Sequence, residues 1–96
     1  MQVGRVIGTV VSSQKDPGIS GSKLLIVEQT DMLGKPKGNF VVAIDAVGAG
    51  EGELVLFASG SSARQTNVTK DRPVDTVIMG IVDSITLRGE TTFTKE

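Results

Sequence analysis

Residues 45–66 read DAVGAGEGELVLFASGSSARQT: an apolar run, LVLFA, set between two glycine-rich segments, GAGEGE and SGSSAR. Each segment invites a catalytic reading. A dinucleotide-binding fingerprint needs G-x-G-x-x-G where a strand passes into a helix, so that the helix N-terminus meets pyrophosphate. Here Gly48, Gly50 and Gly52 alternate, Glu53 stands where the last glycine belongs, and a strand follows instead of a helix. Glu51 and Glu53 would repel a phosphate, and no Gly-Lys-Ser/Thr follows to make a P-loop. The segment reads as a connection between strands, its glycines supplying positive φ or close backbone approach. SGSSAR fails the nucleophile-elbow pattern in the same way: Gly60-Ser61-Ser62-Ala63 runs into Arg64 where a glycine is required. Ser61 or Ser62 suits the N-cap of a single helical turn over SSARQT.

Outward from this stretch, short apolar runs alternate with turn residues along the whole chain. Val3–Val11 reads as the first strand, LLIVEQ (Leu24–Gln29) as the second, FVVAIDAV as the third and ELVLFAS as the fourth. VDTVIMGIVDSITL (Val74–Leu87) is the longest β-branched run, and TTFTK is expected as a last edge strand. KDPGISGS (Lys15–Ser22) is a loop by its proline and glycines, and DMLGKPKGN (Asp31–Asn39) an exposed hairpin tip. No helical periodicity of useful length, repeat, low-complexity tract or linker interrupts the pattern. The expectation is an all-β single domain over residues 1–96, a small closed barrel of five to six strands with at most one short helical turn. Closure leaves few free edges; a β-sandwich is the alternative.

Composition narrows the chemistry. The 96 residues contain no cysteine and no histidine, so disulfides, Ser-His-Asp and Cys-His arrangements and the usual zinc ligands are ruled out within one chain. S-x-x-K occurs twice, at Ser12–Lys15 and Ser20–Lys23, both in or beside a turn-rich loop and not at the start of a helix. Carboxylate pairs for hydrolysis, Asp71 with Asp75 or Asp45 with Asp83, have no sequence reason to meet. No cofactor and no metal are expected. Ten basic against eleven acidic residues give a net charge of -1, a poor match to phosphate neutralisation, and three phenylalanines are the only aromatics on which bases might stack. No apolar run approaches the roughly 20 residues of a membrane helix. The N-terminus lacks the basic start and apolar centre of a signal peptide, so the sequon Asn67-Val68-Thr69 reads as chance.

Two strands depart from the alternation of a barrel wall with one wet face. Val3, Ile7 and Val11 share one parity of the first strand while Val6 and Val10 hold the other, and Val77, Met79 and Ile81 oppose Ile78 and Val82. A mean hydropathy of +0.09 is also generous for so short a chain. Strands apolar on both faces need cover on both, and without helices that cover is expected from another subunit. Arg64, following a turn of small residues, suits such an interface through its multidentate guanidinium.

Three segments carry a family resemblance: MQVGRVIGTVVSSQKDPGISGSKLLIVE, AIDAVGAGEGELVLFASGSSAR and RPVDTVIMGIVD. From Met1 to about Asp83 they resemble, in register, the vertex proteins of bacterial microcompartments, the EutN/CcmL family. The resemblance implies a barrel related to the OB-fold, assembling as a homopentamer at the vertices of an icosahedral shell in the bacterial cytoplasm. Hexameric facet proteins would adjoin it, and encapsulated enzymes would lie inside. It implies no catalysis. It would place Gly48, Ala49, Gly50, Gly52 and Glu53 in a turn packed near a subunit boundary. Gly60, Ser61, Ser62, Ala63 and Arg64 would lie near the five-fold axis, with Ser61, Ser62 and Arg64 at a narrow central opening. SGSSAR looks closer to the versions from catabolic shells than to those of carboxysomes. The reading from another class is an OB-like module for single-stranded nucleic acid or a small anion, with Arg64, Lys70 and Arg72 as its modest basic cluster.

Overall fold

The computed structural model describes residues 1–13, 17–19, 21–66 and 75–95, and in it the β-branched runs become seven strands. These are β1 (Gln2–Val10), β2 (Leu24–Thr30), β3 (Pro36–Asp45), β4 (Leu54–Ser59), β5 (Thr76–Ile81), β6 (Ser84–Leu87) and β7 (Glu90–Thr94). The first five close a barrel in the order β1-β2-β3-β5-β4, with β4 returning to β1 through pairs such as Gln2 with Phe57 and Gly4 with Val55. All barrel pairs are antiparallel except β3 with β5, which meet in parallel at Ile44–Val77 and Asp45–Ile78. This is the OB-like strand order. The all-β fold with a closed barrel is therefore as expected; the described residues hold two short 3-10 turns, Pro17–Ile19 and Gly60–Arg64, one more than expected, because the proline-glycine loop also winds into one.

Alternation fills the barrel. Leu25 and Val27 of β2 point inward with Val6, Ala43, Val55, Phe57 and Ile78. Phe57 is the largest fully buried side chain, worth roughly 1.5–3 kcal/mol of transfer free energy. It fits because β1 crosses it at a glycine. A Cβ on Gly4 would lie 2.5 Å from Val27 Cγ1 and 2.9 Å from the Phe57 ring.

The long run expected over Val74–Leu87 is broken. Val82 N–H donates to Leu54 O at 2.8 Å, closing the barrel ladder, and the chain then leaves as the separate β6–β7 hairpin. Its two-residue turn, Arg88–Gly89, has positive φ at both positions (54° and 82°), the twist that short hairpins favour. The expected edge strand TTFTK is the second arm of this hairpin.

That hairpin also corrects the expectation about cover. Val3, Leu54 and Val82, on the outside of the barrel, are buried under Ile85 and Phe93 of the hairpin together with Leu56. Ala58 and Val77 are buried with Ala63 of the 3-10 turn. Much of the second apolar face is thus covered by the chain itself. In β1 a bulge supplies the rest of the explanation: Val6 pairs with Val27 and Gly8 with Ile26, so Ile7 is the extra residue and turns outward. Ile7, Val11, Phe40, Val42 and Val47 remain exposed.

The tip at Asp31 is built by its carboxylate, which accepts from Leu33 N–H at 2.8 Å and Lys35 N–H at 3.0 Å. β3 therefore begins at Pro36, inside the segment expected to be loop. Lys15, Asp16 and Ser20 of the first loop, the sequon 67–69, Lys70, Asp71, Arg72 and Val74 lie outside the described residues.

Candidate subunit interface

GAGEGE is a turn tied to its own barrel. Asp45 Oδ1 accepts from the N–H groups of Val47 (3.0 Å) and Gly48 (3.1 Å), starting the turn. Gly48 and Gly52 take φ of 78° and 91°, where a side chain would be strained. Between them Ala49 is fully buried in the main core, and its carbonyl accepts from Lys23 Nζ at 3.0 Å. Backbone bonds then fasten the turn to β1: Gly52 N–H to Val6 O at 2.7 Å, and Val6 N–H to Glu53 O at 2.9 Å. Arg5 Nη1 donates to Gly52 O at 2.8 Å, and its guanidinium lies 5.9 Å from the centre of the Phe93 ring.

Glu53 joins the turn to the C-terminal hairpin. Its Oε1 accepts from Gly50 N–H and its Oε2 from Lys95 Nζ, both at 2.7 Å. The Lys95 hydrogen bond, then the Gly50 N–H, hold the Glu53 carboxyl below the usual carboxylate range, and Glu53 raises the Lys95 ammonium in return. Both carboxylate oxygens are occupied by structural partners. Gly48, Glu51 and Gly52 are the exposed part of the turn.

SGSSAR begins at the other end of β4. Gly60, with φ of 71°, donates its N–H to Asp75 O at 2.8 Å, Ala63 is fully buried against Ala58 and Val77, and Arg64 is exposed. Ser61 and Ser62 belong to the 3-10 turn; their side chains lie outside the description. Seven residue steps separate Glu53 from Gly60, on the order of 20 Å along an extended strand, so the two segments are not one constellation. Of the residues singled out in them, Ala49 and Ala63 pack into the chain's own interior. Asp45 is committed to its turn, and among the described residues no group of three or more acidic side chains gathers where a metal might be held. No described helix is long and apolar enough to cross a membrane.

Two apolar surfaces escaped the reading of the sequence. One is the outer face of β3, where Phe40 is 58% and Val42 51% exposed beside half-buried Ile26. Its signal was present: Phe40, Val42 and Ile44 hold one parity of β3 and Val41 and Ala43 the other. The other is a groove of about 600 Å³ between the barrel and the hairpin, lined by the apolar Met1, Val3, Met32, Leu56, Ile81, Val82 and Ile85 together with Asp83 and Ser84. No periodicity announces it, because it is made by the hairpin folding back.

A small OB-like barrel with fastened glycine turns and exposed apolar faces carries surfaces of the kind that mark contact sites. Comparison with known proteins agrees. Residues 1–83 match the family model described as ethanolamine utilisation protein EutN/carboxysome, and the chain belongs to that family. It is 47% identical over 96 residues to the carboxysome shell vertex protein CcmL of Gloeobacter violaceus, covering all of this chain and 96% of that one. The solved structure of the Gloeobacter protein superposes with a TM-score of 0.94 over 99% of this chain and 98% of that one. The microcompartment shell vertex protein EutN of Salmonella typhimurium is 44% identical over 95 residues, 99% of this chain and 96% of that one. The pentameric microcompartment shell protein GrpN of Rhodospirillum rubrum superposes with a TM-score of 0.84 at 44% identity, covering 91% of this chain and 99% of that one. Identity across the whole chain is close to equal for the carboxysome and ethanolamine-utilisation relatives.

Proposed function

We propose that five copies of this chain close into a ring that caps the vertices of a microcompartment shell in the bacterial cytoplasm. The ring adjoins hexameric facet proteins and has no catalytic role. The observation that carries this reading is likeness over essentially the full chain, at 44–47% identity, to shell vertex proteins. The structure supports it from another side: Glu53, the acid best placed for chemistry in GAGEGE, has both oxygens engaged. In this reading Gly48, Gly50, Gly52 and Glu53, seated by buried Ala49, shape a turn near a neighbouring subunit. Gly60, Ser61, Ser62 and Arg64, seated by buried Ala63, lie toward the central opening.

The test is native mass across a range of concentrations. A ring of five 10.0 kDa chains runs at about 50 kDa; a stable species near 10 kDa overturns the reading. Gly50→Asp and Arg64→Glu then probe the two segments. An Asp at position 50 sets a second carboxylate beside Glu53, whose Oε1 is 3.5 Å from where its Cβ would stand. Rings that stay intact in both variants remove these segments from the interface. Salt-dependent affinity for a single-stranded oligonucleotide would favour the binding-module reading instead.

A further inference from the structure

A closed ring of identical chains needs two unlike surfaces on each copy, one fitting the other. The two apolar surfaces described above are unlike in shape. The β3 face presents Phe40 and Val42 outward, whereas the groove between β1, β4, β5 and the β6–β7 hairpin is recessed. They lie apart on the barrel wall: β3 meets β5 only at Ile44–Val77 and Asp45–Ile78, beyond Phe40 and Val42, whereas β5 lines the groove at its far end, Ile81. Exposed apolar surface of this kind marks contact sites. We infer that the β3 face of one subunit, led by Phe40 and Val42, seats in the apolar groove of the next. This rests on the ring reading and adds to its interface a contact made outside the two glycine segments.

Three further observations select a second copy, bound in this way. Among the described residues Asp83 is the one charged side chain lining the groove, while β3 carries Lys37 and no acid before Asp45, with Lys35 just ahead of it. Asp83 shares the groove with the Met1 ammonium and lies within electrostatic reach of Lys95, so charge permits the two surfaces to meet while apolar contact carries the match. Strand addition along β3 is disfavoured, because its outer half begins Pro36-Lys37 and residues 37–39 bulge opposite the single residue Gln29. Proline, lysine and bulges are the devices that blunt a sheet edge. A groove contact leaves this blunted edge unused, and the rotation it sets between copies decides whether the ring closes. Finally, the glycine turn has its polar groups fastened to its own β1 and hairpin, so the unfilled apolar contacts lie on the β3 face and in the groove.

The absence of cysteine makes the test clean. Val42→Cys and Ser84→Cys place thiols on the β3 face and on the groove margin without removing Phe40 or the groove's apolar lining. Treated with a short bismaleimide, the double variant should give a covalent ladder that stops at five chains. Each single variant should give no cross-linked species, and a mixture of the two singles should give dimers only. A 50 kDa wild-type ring whose double variant does not cross-link between chains overturns the inference and leaves the ring standing. Cross-linked dimers from a single variant also overturn it, since they report like meeting like. A wild-type monomer removes both readings together. Phe40→Glu provides a second measurement: β circular dichroism is retained while ring affinity falls by at least about 30-fold, the scale of an interface hot spot. An unaltered native mass for this variant at low concentration counts against the inference.

Discussion

At the scale of single residues, the fold depends on places where a side chain is missing or a polar group is fully used. Gly4 is the first kind. The Cβ of Gly4→Ala would meet Val27 Cγ1 at 2.5 Å, Glu28 O at 2.8 Å and Phe57 at 2.9 Å, two of the three in the packed centre of the barrel. Overpacking of this sort costs about 1–3 kcal/mol, and the variant should melt at visibly lower temperature; an unchanged midpoint would show that β1 shifts freely. Glu53 is the second kind. Its carboxyl is depressed, first by Lys95 and then by Gly50 N–H. A depressed carboxyl stabilises above its unfolded pKa, and that stability is lost as pH falls through the folded value. The melting deficit of Glu53→Ala relative to wild type should therefore be largest near neutrality and shrink in acid below about pH 4. Lys95 is raised, so its share is present below its unfolded pKa and lost only as pH rises through its higher folded value. A deficit that does not change with pH would mean that the bridge adds nothing beyond packing.

At the scale of elements, the strands were legible and their partners were not. β2 and β4 agree with the apolar runs LLIVEQ and ELVLFAS to within a residue because β-branched and apolar runs between glycine turns have few other folds. The break after Ile81 was hidden, since Val82, Ser84 and Ile85 continue the same composition. The β4–β5 ladder makes its last bond from Val82 N–H to Leu54 O before the chain departs into the hairpin, a tertiary limit that no local pattern encodes. The hairpin that follows does the work first assigned to a second subunit, covering Val3, Leu54 and Val82. It is held by Phe93, Lys95 and the hydroxyl of Thr92, which donates to Met32 O at 2.6 Å. Phe93→Ala removes the half-buried ring and the surface on which Arg5 rests. The cost should be about 2 kcal/mol, roughly half that of a fully buried phenylalanine, read by denaturant melts. A loss below about 0.5 kcal/mol, typical of ordinary surface positions, would show that the hairpin is not part of the barrel's stability.

At the scale of the whole molecule, the sequence disclosed that the chain needs company more readily than where the company sits. The parity test was applied to β1 and β5, where Val3, Val77 and Val82 proved covered by the hairpin and the 3-10 turn while Ile7 and Val11 stayed exposed, and not to β3, whose Phe40 and Val42 proved bare. The glycine segments drew attention because they resemble phosphate and nucleophile motifs, yet the polar groups around Glu53 are spent on its own β1 and Lys95. A ring joined by the β3 face and the groove is held mainly by apolar burial, with Asp83 and the two lysines at its margin. Its response to salt follows. At about 1 M salt the screening length shrinks to about 3 Å, so interactions between exposed charges are largely lost while apolar burial is not. The ring should therefore remain near 50 kDa in high salt at 25 °C, with five 10.0 kDa chains, and dissociate sooner on cooling, which weakens apolar association. Light scattering along a salt series and a temperature series reads both trends. A ring that falls apart in salt but tolerates cold would be one held by charge, and the contact would then have to be sought around Arg64 and Glu51 instead of Phe40.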